Sequence, residues 1–362
     1  MTSSLSTIII LIVLFICSFI FSLLINGLFL KFSKTLGIRD KNETVIRWGP
    51  QSKPAFGGIS FFIVFLFSLI AGPIIFKDSI DFHNIMFIGF ILSVTLGFLM
   101  GLFDDAYNTR PWLKFSVQLL CGIILICTGT YIQIFSSTIL NYLLTIFWVV
   151  GIMNSVNMLD NIDAVVTVVA IFILTTVGVS LVMLNKTDIN AADILLIIGL
   201  LGALLGFLIY NWHPSKMYMG DTGSQLLGVF LAVIGIRYLW NMQDAEGNVI
   251  HSKQILTVVL VFLLPLVDTT TVVIKRLAKG TSPFVGGKDH TTHHLSRLLV
   301  SDKKVVYIFI FISFVSSVFA LNIMNFMKQW NCIRFVIFAV YCLIIFSILF
   351  YISLTKRTGI KR

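Results

Sequence analysis

The sequence predicts an all-α, polytopic integral membrane protein, and three observations carry that prediction. Of 362 residues, 57% are hydrophobic and 12% charged, with 33 Phe, a composition that would aggregate in water and suits hydrocarbon. The apolar residues gather into runs of about 17–25, the length a helix needs to cross a bilayer. The runs lack the ten-residue alternation of barrel strands, and backbone groups in lipid must pair internally, so each run is expected to be a helix.

About eleven such transmembrane helices are expected. The first run, 6–30, has no basic leader and no small-residue cleavage site, so it is expected to remain as a helix rather than be removed as a signal peptide. Runs 56–76 and 83–103 follow, the latter closing on Asp104 and Asp105, and run 112–130 opens beside Arg110 and Lys114. Run 137–154 passes into a polar stretch, Asn154 to Asp163, before run 163–184. Run 191–210 precedes Asn211-Trp212-His213-Pro214, and run 222–240 opens on a Gly-rich turn. Run 254–273 carries Asp268 and Thr269 to Thr271 near its inner end, weighed mostly as structure, and a polar loop, 274–304, leads to runs 305–324 and 333–354. With no Pro/Gly/Ser linker or break in composition, residues 1–362 are expected to form a single transmembrane domain.

Orientation follows from Lys and Arg. Loops 31–55, 104–114, 155–162, 211–221 and 274–304, with the tail from 355, hold 20 of the 26 basic residues. By the positive-inside rule these face the cytoplasm, the N-terminus lies outside and the C-terminus inside. The net charge of +10 is then mainly a topology signal, with some attraction to anionic lipid; no nucleic-acid module is visible. The five Cys lie in or beside apolar runs without CxxC spacing, which argues against a disulfide framework or a zinc site.

The same parity places Asp104, Asp105, Asp160, Asp163 and Asp221 on the cytoplasmic side, together with Asp289 to His294. Charges beside hydrocarbon are costly and tend to be kept for function, so one cytoplasmic active site built from several loops is expected. Asp104 and Asp105 suit a hard divalent cation or a general base. Asn154, Asn157, Asp160 and Asp163 recur every third residue, and two amides with two carboxylates suit a metal and a nucleotide. Tyr218-Met219-Gly220-Asp221-Thr222-Gly223-Ser224 puts glycines and a helix N-terminus beside an acid, a setting for phosphate and a bridging metal. His290, His293, His294 and Arg297, with Lys275, Arg276, Lys279 and Lys288, suit an anionic leaving group.

In order, LFDD (102–105), Lys114-x3-Gln118, NxxNxxDNID (154–163), NWHPSKMYMGDTGS (211–224) and the His-rich loop resemble the polyprenyl-phosphate N-acetylhexosamine-1-phosphate transferase superfamily. Ser52-Lys53-Pro54-Ala55-Phe56-Gly57-Gly58 resembles its early Pro-x-x-Gly-Gly segment less specifically, and the likeness spans roughly residues 35–300. The resemblance implies transfer of a sugar 1-phosphate from a UDP-sugar to undecaprenyl phosphate with release of UMP, an initiating step of cell-envelope polysaccharide synthesis. It implies Mg2+, with Mn2+ as the alternative ion, held by Asp221 and Asn157. Asp104 or Asp105 would orient or deprotonate the lipid phosphate, and Lys114 would meet a phosphate. Asn161, Asp163, Asn211 and Tyr218 would surround the uridine, with Lys53 and Asp160 also binding substrate and Asp163 counted with the catalytic group. His290, His293, His294 and Arg297 would steady the pyrophosphate.

The partners implied are the UDP-sugar donor, the undecaprenyl phosphate acceptor and membrane lipid, with no nucleic acid and with a homodimer left open. The location implied is a bacterial inner membrane, with the active site on the cytoplasmic side. Two departures stand out: the usual DGxDG is Asp160-Asn161-Ile162-Asp163-Ala164, and His-x-His-His is His290-Thr291-Thr292-His293-His294. The histidine segment lacks the Pro-x-His-His-His form of the muramoyl-pentapeptide branch, which favours the N-acetylglucosamine branch. The alternatives are phospho-N-acetylmuramoyl-pentapeptide transfer and, in a different class, a polyprenyl-lipid or ion transporter. A transporter should carry acids at the midplane and an internal repeat, neither of which is visible.

Overall fold

The computed structural model describes residues 2–32, 53–75, 83–184, 191–243, 247–281, 290–299, 301–327 and 329–354. The described chain is a bundle of α-helices, and no strand occurs among the described residues. In order these are α1 (Thr2–Phe32), α2 (Gly57–Ile75), α3 (Ile85–Tyr107), α4 (Pro111–Cys127), α5 (Thr138–Leu159), α6 (Val165–Leu184) and α7 (Ala191–Asn211). There follow α8 (Gly220–Gly235), α9 (His251–Val261), α10 (Leu263–Ala278), the short α11 (Thr291–Leu299), α12 (Asp302–Leu321) and α13 (Cys332–Leu354). Single π-turns, Ile236–Trp240 and Asn322–Phe326, extend α8 and α12.

Each of the eleven apolar runs forms helix, but they are not alike. Among the described residues, eight helices are long and apolar enough to span a membrane, or nine if a bent pair counts as one. The stretches Gly57–Gly72 and Pro111–Cys127 are shorter apolar helices. The ninth run, expected as one helix, breaks at Phe262 into α9 and α10, which meet at 81°. Pro265, third residue of α10, explains the break: without an N–H it cannot continue the ladder from α9, yet its fixed φ suits a first turn.

Helix α8 is the centre, packing against α2, α3, α5 and α6, and every residue from Thr222 to Gly235 is buried. α1 and α13 instead expose rows of large apolar side chains such as Ile12, Ile16, Ile337 and Ile344, the surface that lipid covers. At the end of the bundle away from the acids, Arg237 donates to both oxygens of buried Asp193 at 2.7 Å and to Met86 O at 2.8 Å. Tyr238 donates to the same carboxylate at 2.6 Å. This partnered charge, not singled out from the sequence, clamps α3, α7 and α8 together; unpaired, it would be costly at this depth.

Close approach of α3 to α8 needs a residue without a side chain. A Cβ on Gly101 would lie 2.2 Å from the Asp221 carbonyl oxygen and 2.5 Å from Thr222 Cα, backbone that has nowhere to move. Gly101→Ala is therefore expected to destabilise the protein by about 1–3 kcal/mol through overpacking, read as a lower unfolding temperature in detergent.

Candidate active site

The acids expected from the sequence to gather on one side lie together at one end of the bundle, where helix ends meet. α3 ends at Asn108, whose left-handed backbone (φ 50°) donates its N–H to Asp104 O at 2.8 Å, and Pro111 then starts α4. This tight turn folds Lys114 back onto Asp104. Asp104, 3% exposed, accepts from Thr109 N at 3.0 Å, from the Thr109 hydroxyl, and from Lys114 Nζ at 2.8 Å. Lys114 Nζ also donates to Asp221 Oδ2 at 3.2 Å, so one ammonium joins carboxylates of α3 and α8. On the other side Asp221 Oδ1 accepts from Asn157 Nδ2 at 2.5 Å, and Asn157 reaches Ser224 Oγ at 2.8 Å.

The adjacent acids divide their work. Asp105 accepts from Asp221 N (3.0 Å), Thr222 N (2.9 Å) and Thr222 Oγ1 (2.6 Å), satisfying N–H groups that the start of α8 leaves open. Gly220, at φ +74°, makes that approach: a Cβ there would lie 2.5 Å from Asp105 Oδ2. Asp105 thus holds Asp221 in place.

One turn deeper, α4, α5 and α8 carry amides. Gln118 and Asn154 exchange hydrogen bonds at 3.3 and 2.7 Å, and Gln118 donates to Gln225 at 3.1 Å. Each amide sits a turn from a charged-layer partner, Lys114, Asn157 or Asp221, which accounts for the Gln of the Lys114-x3-Gln118 spacing.

Asp163 organises a second group. Its carboxylate meets His213 Nδ1 at 3.1 Å, Ser215 N at 2.9 Å and Ser215 Oγ at 2.7 Å. Lys53 Nζ donates to Ser215 Oγ at 3.0 Å, lies 3.9 Å from Asp163 Oδ2, and sits 5.1 Å above the Tyr218 ring. Pro54 O and Tyr218 N pair at 2.9 Å, which seats the 53–58 segment on the approach to α8. Asn211 lies beneath, 2% exposed, accepting from Ala164 N and Thr167 Oγ1 and donating to Met217 O. Its polar atoms hold the 211–217 turn to α6, so it supports this group from within.

Between the groups sits Asp160, in the turn from α5 to α6. Among the described residues its carboxylate has no hydrogen-bond or ion-pair partner. Burial first, then the fields of Asp221, Asp105 and Asp163, push its pKa up to about 8.

The third group stands on α10 and α11. Asn161 Oδ1 accepts from Thr292 Oγ1 at 2.6 Å, tying α11 to the α5–α6 turn, and Thr269 Oγ1 donates to Ser155 Oγ at 2.8 Å. His290 and His293 rings lie 6.0 Å apart, and His294 Nε2 faces Lys275 Nζ at 3.0 Å. Burial, then the neighbouring His290 and Arg297, hold the His293 imidazole below its usual pKa. Arg297 lies on the same face of α11, one turn beyond His293 and His294. Sequence reasoning missed His213 and Ser215 as partners of Asp163, although both stand in the quoted NWHPSK segment. Gly286, Gly287, Lys288 and Asp289, most of loop 31–55 and the tail from 355 lie outside the described residues.

The family model described as "Glycosyl transferase family 4" matches residues 87–239, from α3 into the π-turn after α8. A Bacillus subtilis (strain 168) protein named as a probable undecaprenyl-phosphate N-acetylglucosaminyl 1-phosphate transferase is 28% identical over 277 residues, 74% of this chain and 72% of the relative. A Streptococcus agalactiae serotype Ia phospho-N-acetylmuramoyl-pentapeptide-transferase is 33% identical over 252 residues, 63% of this chain and 73% of the relative. A Mycobacterium tuberculosis (strain CDC 1551 / Oshkosh) decaprenyl-phosphate N-acetylglucosaminephosphotransferase is 28% identical, with 58% and 56% covered. With the membrane-spanning bundle, the ordered acidic motifs and these likenesses together, the chain belongs to glycosyl transferase family 4, the polyprenyl-phosphate N-acetylhexosamine-1-phosphate transferase superfamily.

Proposed function

We propose that the chain transfers N-acetylglucosamine 1-phosphate from its UDP-sugar to undecaprenyl phosphate, releasing UMP, at the cytoplasmic face of a bacterial inner membrane. The observation that carries this reading is the pairing of Asp104 and Asp221 through Lys114, with Asp160, unpartnered among the described residues, alongside. In the reaction an oxygen of the lipid phosphate attacks the sugar-bearing phosphorus. The bond from that phosphorus to UMP breaks, and UMP leaves with the bridging oxygen. Both reactants are anions, so positioning and charge neutralisation are the main requirements.

Mg2+, or Mn2+ in its place, belongs to this proposal. Among the described residues no three His, Cys, Asp or Glu side chains converge as a ready-made ion site. Magnesium, however, commonly takes one or two carboxylates and completes its shell with water and substrate phosphate. Asp221 with Asn157, and the unpartnered oxygens of Asp160, fit that donor set. The ion would supply charge neutralisation at the pyrophosphate.

The chain's own residues do the remaining work. Lys114 holds two like charges side by side and offers a cation to an incoming phosphate. Asp104, fixed by Thr109 and Lys114, is the group that orients the lipid phosphate, while Asp105 anchors Asp221. Asp163, Lys53, Tyr218 and Asn161 line the uridine side, with Asn211 supporting them from beneath. His290, His293, His294 and Arg297 face the pyrophosphate.

The test is UMP release by purified protein in detergent with undecaprenyl phosphate and Mg2+, comparing UDP-N-acetylglucosamine, UDP-N-acetylgalactosamine and UDP-muramoyl-pentapeptide. Release from UDP-N-acetylglucosamine that stops with EDTA is expected. Release from the pentapeptide donor alone would move the chain to the other branch, and folded protein inactive with all three would refute the reading.

A further inference from the structure

The three histidines of the His-rich segment have different surroundings. His294 Nε2 meets the Lys275 ammonium, which also donates to Ser353 O at 2.9 Å; an ammonium only donates, so that nitrogen accepts. His290, 6% exposed, instead meets a carboxylate: its Nδ1 lies 2.9 Å from Asp268 Oδ2. Asp268 is fully buried on α10, in the second turn after the break. Its other oxygen accepts the Thr291 N–H at 2.8 Å and the Thr291 hydroxyl, so one carboxylate caps α11 and holds the ring just before it. A carboxylate only accepts, so Nδ1 carries the proton and Nε2 is the nitrogen left for other work. The Thr269–Ser155 and Thr292–Asn161 bonds tie both halves of this pair to α5 and the turn bearing Asp160.

We propose that Asp268 is a positioning residue of the active site, which by accepting the Nδ1–H of His290 fixes that ring so that Nε2 meets an oxygen of the donor pyrophosphate. The proposal rests on the reaction proposed above. Protonated at Nε2, the ring donates to the anion while its other N–H is already set against Asp268. Carboxylates behind working histidines fix tautomer and orientation in this way. An Asn in place of Asp268, its amide oxygen kept by Thr291, would turn an N–H toward Nδ1 and so oppose the doubly protonated ring that donates to the anion.

The test is a double-mutant cycle in UMP release: wild type, Asp268→Asn, His290→Ala and the pair. Asp268→Asn is expected to lower kcat about 10- to 100-fold with a smaller change in donor KM. In the His290→Ala background it should cost no further factor beyond about 2-fold, because residues acting as one unit are not additive. An equal factor in both backgrounds, or no loss at all, would overturn the proposal. Thr291→Ala trims the cap but leaves the ring pair, so it should lower the unfolding temperature and keep kcat within about 3-fold. If it loses as much turnover as Asp268→Asn, the cap and not the ring explains the effect. Should Asp268→Asn fail to fold, the cycle is run with Asp268→Glu, judged by the same additivity. Wild-type protein that releases no UMP would sink the reaction itself, a result distinct from an additive cycle.

Discussion

Asp221→Asn is expected to abolish UMP release, by at least about 10³-fold, in protein that stays folded. The Asp221 carboxylate accepts from Lys114 of α4 and Asn157 of α5, and its backbone N–H, in the first turn of α8, donates to Asp105 of α3. The amide keeps the size of the side chain and leaves its backbone N–H on Asp105, so the start of α8 should remain in place. What is lost is the negative charge, which would bind an ion on the pyrophosphate and balance Lys114. A factor of 10³ corresponds to about 4 kcal/mol of transition-state stabilisation, within the range for one electrostatic group in a water-poor site. UMP release and thermal unfolding, measured on one preparation, decide it; full activity would remove Asp221 from the ion site.

The second large effect concerns stability and has an unusual sign. Asp160 has a folded-state pKa raised from 3.8 to about 8, so between those values the folded protein binds a proton that the unfolded chain releases. Stability from this group is therefore fully present below pH 4 and is lost as pH rises through 8. Asp160→Asn removes the charge that burial and three neighbouring acids oppose. In EDTA at pH 8.5 the variant should be more stable than wild type by on the order of 3 kcal/mol, after allowance for solvent screening. That is about 5 °C or more in unfolding temperature, shrinking as pH falls toward 4. Mg2+ should raise the wild-type unfolding temperature at pH 8.5 more than that of the variant, and UMP release should fall in the variant. A variant no more stable than wild type at pH 8.5 would mean that Asp160 carries no such penalty.

How legible the site was depends on where each partner lies in the chain. The acids Asp104, Asp105, Asp160, Asp163 and Asp221 stand out because a charge at the end of an apolar run is costly wherever it occurs, a fact local to the run. Their roles are not local. Asp105 differs from Asp104 only in the direction of its side chain: one turns toward Thr222, 117 residues away, the other toward Lys114 in the next helix. Asp268 read as structure because nothing beside it suggests a histidine partner, and its partner, 22 residues on, is brought back by α11.

By itself, then, the sequence determined the helical class, the apolar runs, and the side of the bundle to which the acids belong. Hydrophobic length and backbone self-satisfaction act within one segment, and the side of each loop follows from counting crossings. Only the tertiary structure decided which carboxylates share Lys114, which one caps α8, that Asp160 has no partner among the described residues, and that run nine breaks at Phe262. Those outcomes depend on hydrogen bonds a few ångströms long between residues far apart in the chain, which no local pattern encodes.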